Sequence, residues 1–262
     1  KKRKKLPRKP QKPSPPALSP RRPVSIYNGM IHPWTGYAMK GVIWYQGESN
    51  AARAKEYETI FPLLILDWRR QWGKELPFYF VQLANFRMPT SKPGQASSWA
   101  ELQNAQRLTL RLPRTGMAVI NDIGAAKDIH PRNKKDVGER LARWALSNDY
   151  GRKDVVVSGP LYRAFKIDGS KTRIFFDHAK GLKTRDGREP GRFEIAGEDR
   201  VWHWGKAAID GEAVVVSSEK VPVPVAVRYA WASNPEGANL VNAAGLPASL
   251  FRTDNWQLST ER

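Results

Sequence analysis

Gly41-Val42-Ile43-Trp44-Tyr45-Gln46-Gly47-Glu48-Ser49-Asn50 runs from an apolar segment straight into a polar, glycine-containing turn. The apolar run over residues 40–45 predicts a strand covered on both faces, as in a parallel sheet. Beyond it, Tyr57, Ile60, Phe61, Leu64, Trp68 and Trp72 recur every three or four residues, which predicts a helix with one apolar stripe. Pro62 falls in its middle and predicts a kink or a split. The alternation continues with a strand over residues 78–83, a helix through Leu102, Ala105, Leu108 and Leu112, and a strand over 117–121. A third helix carries Val137, Leu141, Trp144 and Ala145 and starts shortly after Pro131. Strands alternating with helices predict an α/β fold built on a parallel sheet with helices on its faces.

After Tyr150 the pattern changes. Residues 155–157, 162–166, 173–176, 193–196, 201–208, 214–217 and 225–231 read as short strands, and Asp168-Gly169, Asp186-Gly187 and Asp210-Gly211 as tight turns between them. Three segments follow: a basic, proline-rich arm or linker over residues 1–23, an α/β part over 24–150, and a β-rich part over 151–262.

Charge does not decide the function. The chain carries a net +19, but residues 1–23 hold ten basic residues, seven prolines and no acid, so about half of the excess lies in the arm. Such a composition favours extended, solvated backbone. It suits a linker better than a nucleic-acid arm, because no aromatic residue interrupts it to stack on bases. There is no cysteine, which excludes disulfides and thiolate chemistry. No apolar run approaches the ~20 residues that a membrane-spanning helix needs.

Ligands of open parallel sheets collect at the carboxyl ends of the strands, and two stretches there carry candidate chemistry. One is Gln46–Asn50. The other is Asp128-Ile129-His130-Pro131, where residues two apart on extended backbone point to the same side. A carboxylate beside an imidazole is the arrangement of a general base that activates a serine. The same pattern also describes a loop histidine pinned by its neighbour.

Tyr27-Asn28-Gly29-Met30-Ile31, the Trp44–Asn50 block, Asp128-Ile129-His130-Pro131 with Gly138-Glu139-Arg140-Leu141-Ala142, Val227-Arg228-Tyr229-Ala230-Trp231 and Gly245-Leu246-Pro247-Ala248 follow one another in the order of a known family. The chain resembles the sialate O-acetylesterases, a carbohydrate-esterase family of the SGNH hydrolases, from about Val24 to Trp256. The resemblance implies an SGNH-type three-layer α/β/α hydrolase domain with a β-rich C-terminal accessory region. It also implies a Ser-His-Asp esterase that removes acetyl groups from sugar hydroxyls. His130 would then be the general base and Asp128 its partner. Gln46, Asn50 and Glu48 would lie in the oxyanion and substrate block. No cofactor or metal is implied, and none of His32, His130, His178 and His203 shows zinc-ligand spacing.

One departure stands out. The family's nucleophilic serine lies in a G-x-S-N block upstream of Tyr27-Asn28-Gly29-Met30-Ile31, and residues 1–27 contain none. The expected nucleophile is therefore outside this chain, which by itself is expected to be inactive; Ser49 is the substitute candidate. Ser14, Ser19 and Ser25 have no motif around them. The expected partner is an acetylated sugar or glycan, whether sialic acid, xylan or another polysaccharide, and the expected compartment is secreted or periplasmic. A reading of another class makes the β-rich part a carbohydrate-binding fragment, with Trp202, Trp204 and Trp231 as an aromatic platform. His32 is a candidate for the mouth of the site.

Overall fold

The computed structural model describes residues 24–261; the arm expected over residues 1–23 lies outside the described residues. Strands β1 (Val42–Trp44), β2 (Phe78–Val81) and β3 (Thr115–Ala118) form a parallel sheet in the order β1-β2-β3. Val42 stands opposite Phe78, and Phe80 opposite Met117. Helix α1 (Ala54–Trp72) joins β1 to β2, α2 (Ser98–Leu108) joins β2 to β3, and α3 (Lys134–Asn148) follows β3.

The two-residue alternation of β2 sorts the core. Phe78 and Phe80 pack with Tyr57, Phe61 and Ile65 of α1 and Leu102 of α2, while Tyr79 and Val81 pack with Val137, Leu141 and Trp144 of α3. The expectation of a strand covered on both faces fails at β1, where Ile43 is 71% exposed; it is β2 whose four residues are all buried. β1 is the edge of the described sheet, and α3 packs over β2 and β3. Close approach of α3 requires Gly116: a Cβ there would sit 2.4 Å from the Trp144 ring. Trp144 Nε1 donates to the Met117 carbonyl at 3.1 Å.

Pro62 does not split α1. The carbonyl that it deprives of a helical donor is that of Glu58, which accepts from Arg111 Nη2 at 3.3 Å. The helix ends at Gly73, whose left-handed backbone (φ 60°) turns its N–H back onto the last carbonyls.

The second half contains β4 (Leu161–Asp168), β5 (Lys171–Asp177), β6 (Lys183–Thr184), β7 (Phe193–Ala196), β8 (Trp202–Trp204), β9 (Lys206–Asp210), β10 (Ala213–Ser217), β11 (Ala226–Tyr229), β12 (Leu240–Val241) and β13 (Phe251–Arg252). Two antiparallel four-stranded sheets result, in the orders β4-β5-β10-β9 and β13-β11-β7-β8, with β12-β6 as a separate ribbon. Ile174, Phe176, Val214 and Val216 of the first sheet share one core with Ile195, Val227, Tyr229 and Phe251 of the second.

Three sequence expectations change here. Residues 155–157 form no strand: the Val155 N–H turns back to the Arg152 carbonyl, and Val157 packs on the α3 cluster. The strand expected over 201–208 divides at Gly205, so that β8 and β9 belong to different sheets. A side chain at the crossover would meet Val216 Cγ1 at 2.6 Å. Asp186-Gly187 does not close a hairpin, because β6 pairs with β12. Asp168-Gly169 and Asp210-Gly211 do turn hairpins, each through a left-handed glycine.

The β-rich half abuts the carboxyl ends of β2 and β3. Gln82 Nε2 donates to Ser249 Oγ at 2.9 Å, Asn121 Nδ2 to the Ala248 carbonyl at 3.0 Å, and Asn85 Nδ2 to Asn234 Oδ1 at 3.1 Å. Among the described residues, no helix is long and apolar enough to cross a membrane.

Candidate active site

Three loops leave the carboxyl ends of the parallel strands, and two of them carry the candidate residues. After β1 the chain turns at Gly47 into a 3-10 segment, Glu48–Arg53. Gly47 has φ 150°, and a Cβ there would meet Gln106 Nε2 at 3.0 Å and Leu102 at 3.1 Å. Only glycine therefore lets α2 close against this turn.

The turn holds Gln46 on three sides. The Tyr57 hydroxyl donates to Gln46 Oε1 at 3.0 Å, and Gln46 Nε2 donates to Asn50 Oδ1 at 2.7 Å. Gln106 Nε2 donates to the Gln46 carbonyl at 3.1 Å while its Oε1 accepts the Leu83 N–H at 2.9 Å. Burial pushes the Tyr57 hydroxyl up to about 12, so it stays a protonated donor at neutral pH. That donor fixes which way the Gln46 amide faces, and Gln46 in turn fixes Asn50 with its oxygen inward. What the pair has left is donors: the Asn50 amide nitrogen and the second N–H of Gln46 have no partner among the described residues.

The loop after β3 is tied differently. The Gly124 N–H donates to Asn85 Oδ1 at 2.7 Å, and Arg140 grips Asp122 with two bonds of 2.6 and 2.9 Å. Beyond those anchors lie Asp128 and His130, whose side chains are 50% and 83% exposed. Asp128 Oδ1 accepts the backbone N–H of His130 at 2.9 Å and stands 3.9 Å from His130 Nδ1. The two residues do sit on one side of the chain, but the carboxylate caps the loop backbone and makes no hydrogen bond to the ring. Ile129 between them packs into the core shared by α1, α2 and the Trp44–Tyr45 end of β1. Four residues after His130, the Lys134 ammonium lies 4.9 Å from the centre of the Tyr45 ring. The Gln46 block and the His130 loop are thus neighbours.

Ser49 is exposed and makes no hydrogen bond to His130. His32 does not reach this end: it lies beside Tyr27, whose hydroxyl donates to Gln71 near the last turn of α1. Asn50 precedes the first turn of that 19-residue helix, so His32 sits roughly 28 Å away, a helix length. His178 packs edge-on against Trp144, and His203 lies in β8. Among the described residues, no three His, Asp or Glu side chains converge as a metal site requires.

Sequence reasoning did not find the supporting shell. Tyr57 reads from the sequence only as a helix position, and the pattern singles out neither Gln106 nor Asn85; the burial of Gln106 emerges only in the structure.

A parallel sheet with an imidazole beside a carboxylate on one loop, and fixed amide donors on the next, defines an α/β protein with its candidate residues gathered at the carboxyl edge of the sheet. Residues 20–147 match the profile of the family described as carbohydrate esterase, sialic acid-specific acetylesterase. The sialate O-acetylesterase of Mus musculus is 31% identical over 251 residues, covering 85% of this chain and 45% of the mouse protein. That of Homo sapiens is 29% identical over 238 residues, covering 80% and 44%. A carbohydrate acetylesterase from Xanthomonas citri superposes with a TM-score of 0.83 at 47% identity, covering 88% of this chain and 54% of that one. Residues 20–147 thus carry the sequence pattern of the sialic acid-specific acetylesterase family of carbohydrate esterases. It spans less than half the length of the curated relatives that it matches.

Proposed function

We propose that this chain contributes the base and oxyanion side of a carbohydrate O-acetylesterase that removes acetyl groups from sugar hydroxyls. The observation that carries the proposal is the pairing, at one sheet edge, of the exposed Asp128-Ile129-His130 loop with the fixed Gln46–Asn50 amides. Helices on both faces of the parallel sheet support an SGNH-type three-layer α/β/α arrangement for residues 24–150, with 151–262 as its accessory part.

In this mechanism a serine attacks the acetyl carbonyl while His130 takes its proton; the sugar oxygen then leaves with that proton, and water repeats the attack on the acyl-enzyme. Gln46 and Asn50 donate to the oxyanion. Asp128 holds the loop that presents His130 and shifts onto the ring as the imidazolium forms. The attacking serine is the family's upstream G-x-S-N serine and not Ser49, which points to solvent and is not joined to His130. The acetylated substrate is a glycan of an extracellular or periplasmic kind.

The test is acetate release from an activated acetyl ester and from an O-acetylated sugar, with His130→Ala and Ser49→Ala alongside. We expect no His130-dependent turnover from residues 1–262 alone, and its appearance when a polypeptide carrying the upstream block is used. Turnover by residues 1–262 that vanishes in Ser49→Ala would make Ser49 the nucleophile and overturn the assignment.

A further inference from the structure

The strands that flank Gly205 leave an opening that the esterase mechanism does not use. Because the chain crosses there from one sheet to the other, β8 and β9 are both edge strands, and their edges part around a cleft of about 650 Å³. It is lined by Pro93, His203, Trp204, Lys206, Ser217–Lys220. A second hollow of about 320 Å³, lined by Thr90, Ser91 and Arg192, meets the same indole from another side.

The three tryptophans expected to form a platform do not behave alike. Trp231 is buried. Trp202 is half-buried, with the Arg228 guanidinium 4.1 Å from its ring centre, Trp256 at 5.2 Å, and Gly94 against it. Trp204 alone is exposed, at 39% of its surface. An exposed indole in the wall of a cleft whose lining also carries hydroxyl and charged side chains fits a ligand with one apolar face and a polar rim. A sugar ring is such a ligand: its C–H face stacks on the indole, and Ser217, Ser218 and His203 meet its hydroxyls.

Charge narrows the class. Lys206 and Lys220 line the cleft against the carboxylate of Glu219, and among the described residues none of these three forms a salt bridge; Arg192 is held by the Thr90 and Glu236 carbonyls, with the Glu236 and Glu194 carboxylates near it. Arg192 lies 5.3 Å from the Trp204 ring centre. We propose that the Trp204 cleft binds an acidic glycan, with one sugar ring on the indole and a carboxylate against Lys206 and Lys220. The cleft offers one aromatic ring and a carboxylate, whereas a nucleic-acid strand calls for successive stacking platforms along a basic track. The loop after β2 connects the two sites: Asn85 anchors the His130 loop, and Pro93 lines the cleft. Eight residues further along the chain, the cleft lies within about 29 Å of Asn85, in reach of one extended glycan. The proposal rests on the carbohydrate-esterase reading only in taking the ligand to be a glycan.

The test measures binding of oligosaccharides free of O-acetyl esters to the whole chain by calorimetry, with sialyllactose and tetragalacturonate as acidic probes, lactose as the neutral control and a deoxythymidine oligomer as the competing class. We expect at least one acidic probe to bind about tenfold more tightly than lactose, with Trp204→Ala losing about tenfold and Trp204→Tyr retaining most of the affinity. Lys206→Gln with Lys220→Gln should abolish the preference for acid while keeping binding to lactose. Unchanged circular dichroism in each variant separates ligand loss from unfolding. Equal affinity for acidic and neutral probes, unchanged binding by Trp204→Ala, or tighter binding of the deoxythymidine oligomer would each overturn the proposal. None of these ligands carries an acetyl ester, so a failed acetate assay leaves the result standing, and a failed binding assay leaves the esterase reading standing.

Discussion

Gln46 and His130 stand on neighbouring loops of one sheet edge, yet the fold treats them differently. Gln46 is bonded through its oxygen, its nitrogen and its backbone carbonyl, to Tyr57, Asn50 and Gln106. His130 has a side chain 83% exposed and a partner carboxylate committed to the loop backbone. The amide side is organised in advance, as donors to a developing negative charge must be. The His130 loop is held by Ile129 in the core and, behind it, by Asp122, Gly124 and the Arg87 N–H on the Ala126 carbonyl.

The comparison can be broken most sharply at His130. In a polypeptide that carries the upstream nucleophile, His130→Ala should lower kcat/KM for an acetyl ester by at least about 10⁴-fold, measured as acetate release. A loss below tenfold would remove His130 from the reaction. Gln46→Ala should cost about 10²- to 10³-fold, and chiefly in kcat, because a preorganised donor acts on the transition state. A change in KM alone would make Gln46 a binding residue.

Tyr57 tests whether the amide side is as fixed as its bonds suggest. Its hydroxyl is pushed up to about 12 by burial, above the ordinary value of about 10, so the folded state keeps a proton that the unfolded state has lost between those values. Stability should therefore fall as pH rises from about 10, and the fall should level off near 12, by about 2–3 kcal/mol from this group. Denaturant melts of Tyr57→Phe should show a correspondingly shallower fall; an identical slope would mean that Tyr57 ionises freely.

The smallest effect is expected at Asp128. With its carboxylate 3.9 Å from the ring and bonded to the backbone, Asp128→Ala should cost about 10- to 100-fold in kcat/KM, less than His130→Ala. An equal loss in both would show that the carboxylate moves fully onto the imidazole in the working enzyme, and the contrast between the loops would narrow to the resting state.

Much of this was legible in the residues themselves. The helices through Tyr57, Leu102 and Leu141, and the strands around Phe80 and Met117, follow from periodicity, because each had one consistent face to bury. The departures have causes that lie elsewhere in the chain. Residues 155–157 carry β-branched side chains but no ladder partner, and propensity alone does not supply one. The break at Gly205 depends on Val216, distant in sequence, and Pro62 is tolerated because Arg111 satisfies the carbonyl of Glu58.

The sequence by itself determined which residue types meet at the carboxyl edge, since strand ends and motif order are local properties of the chain. It also determined that the first half alternates helix with strand and that the second is mostly β. Only the tertiary structure decided that Gln46 is locked through Tyr57 and Gln106, that His32 lies a helix length away, and that of three tryptophans Trp204 alone faces solvent. Those outcomes rest on contacts between residues far apart in the chain, and burial and hydrogen-bond satisfaction are properties of the packed whole that no local pattern carries.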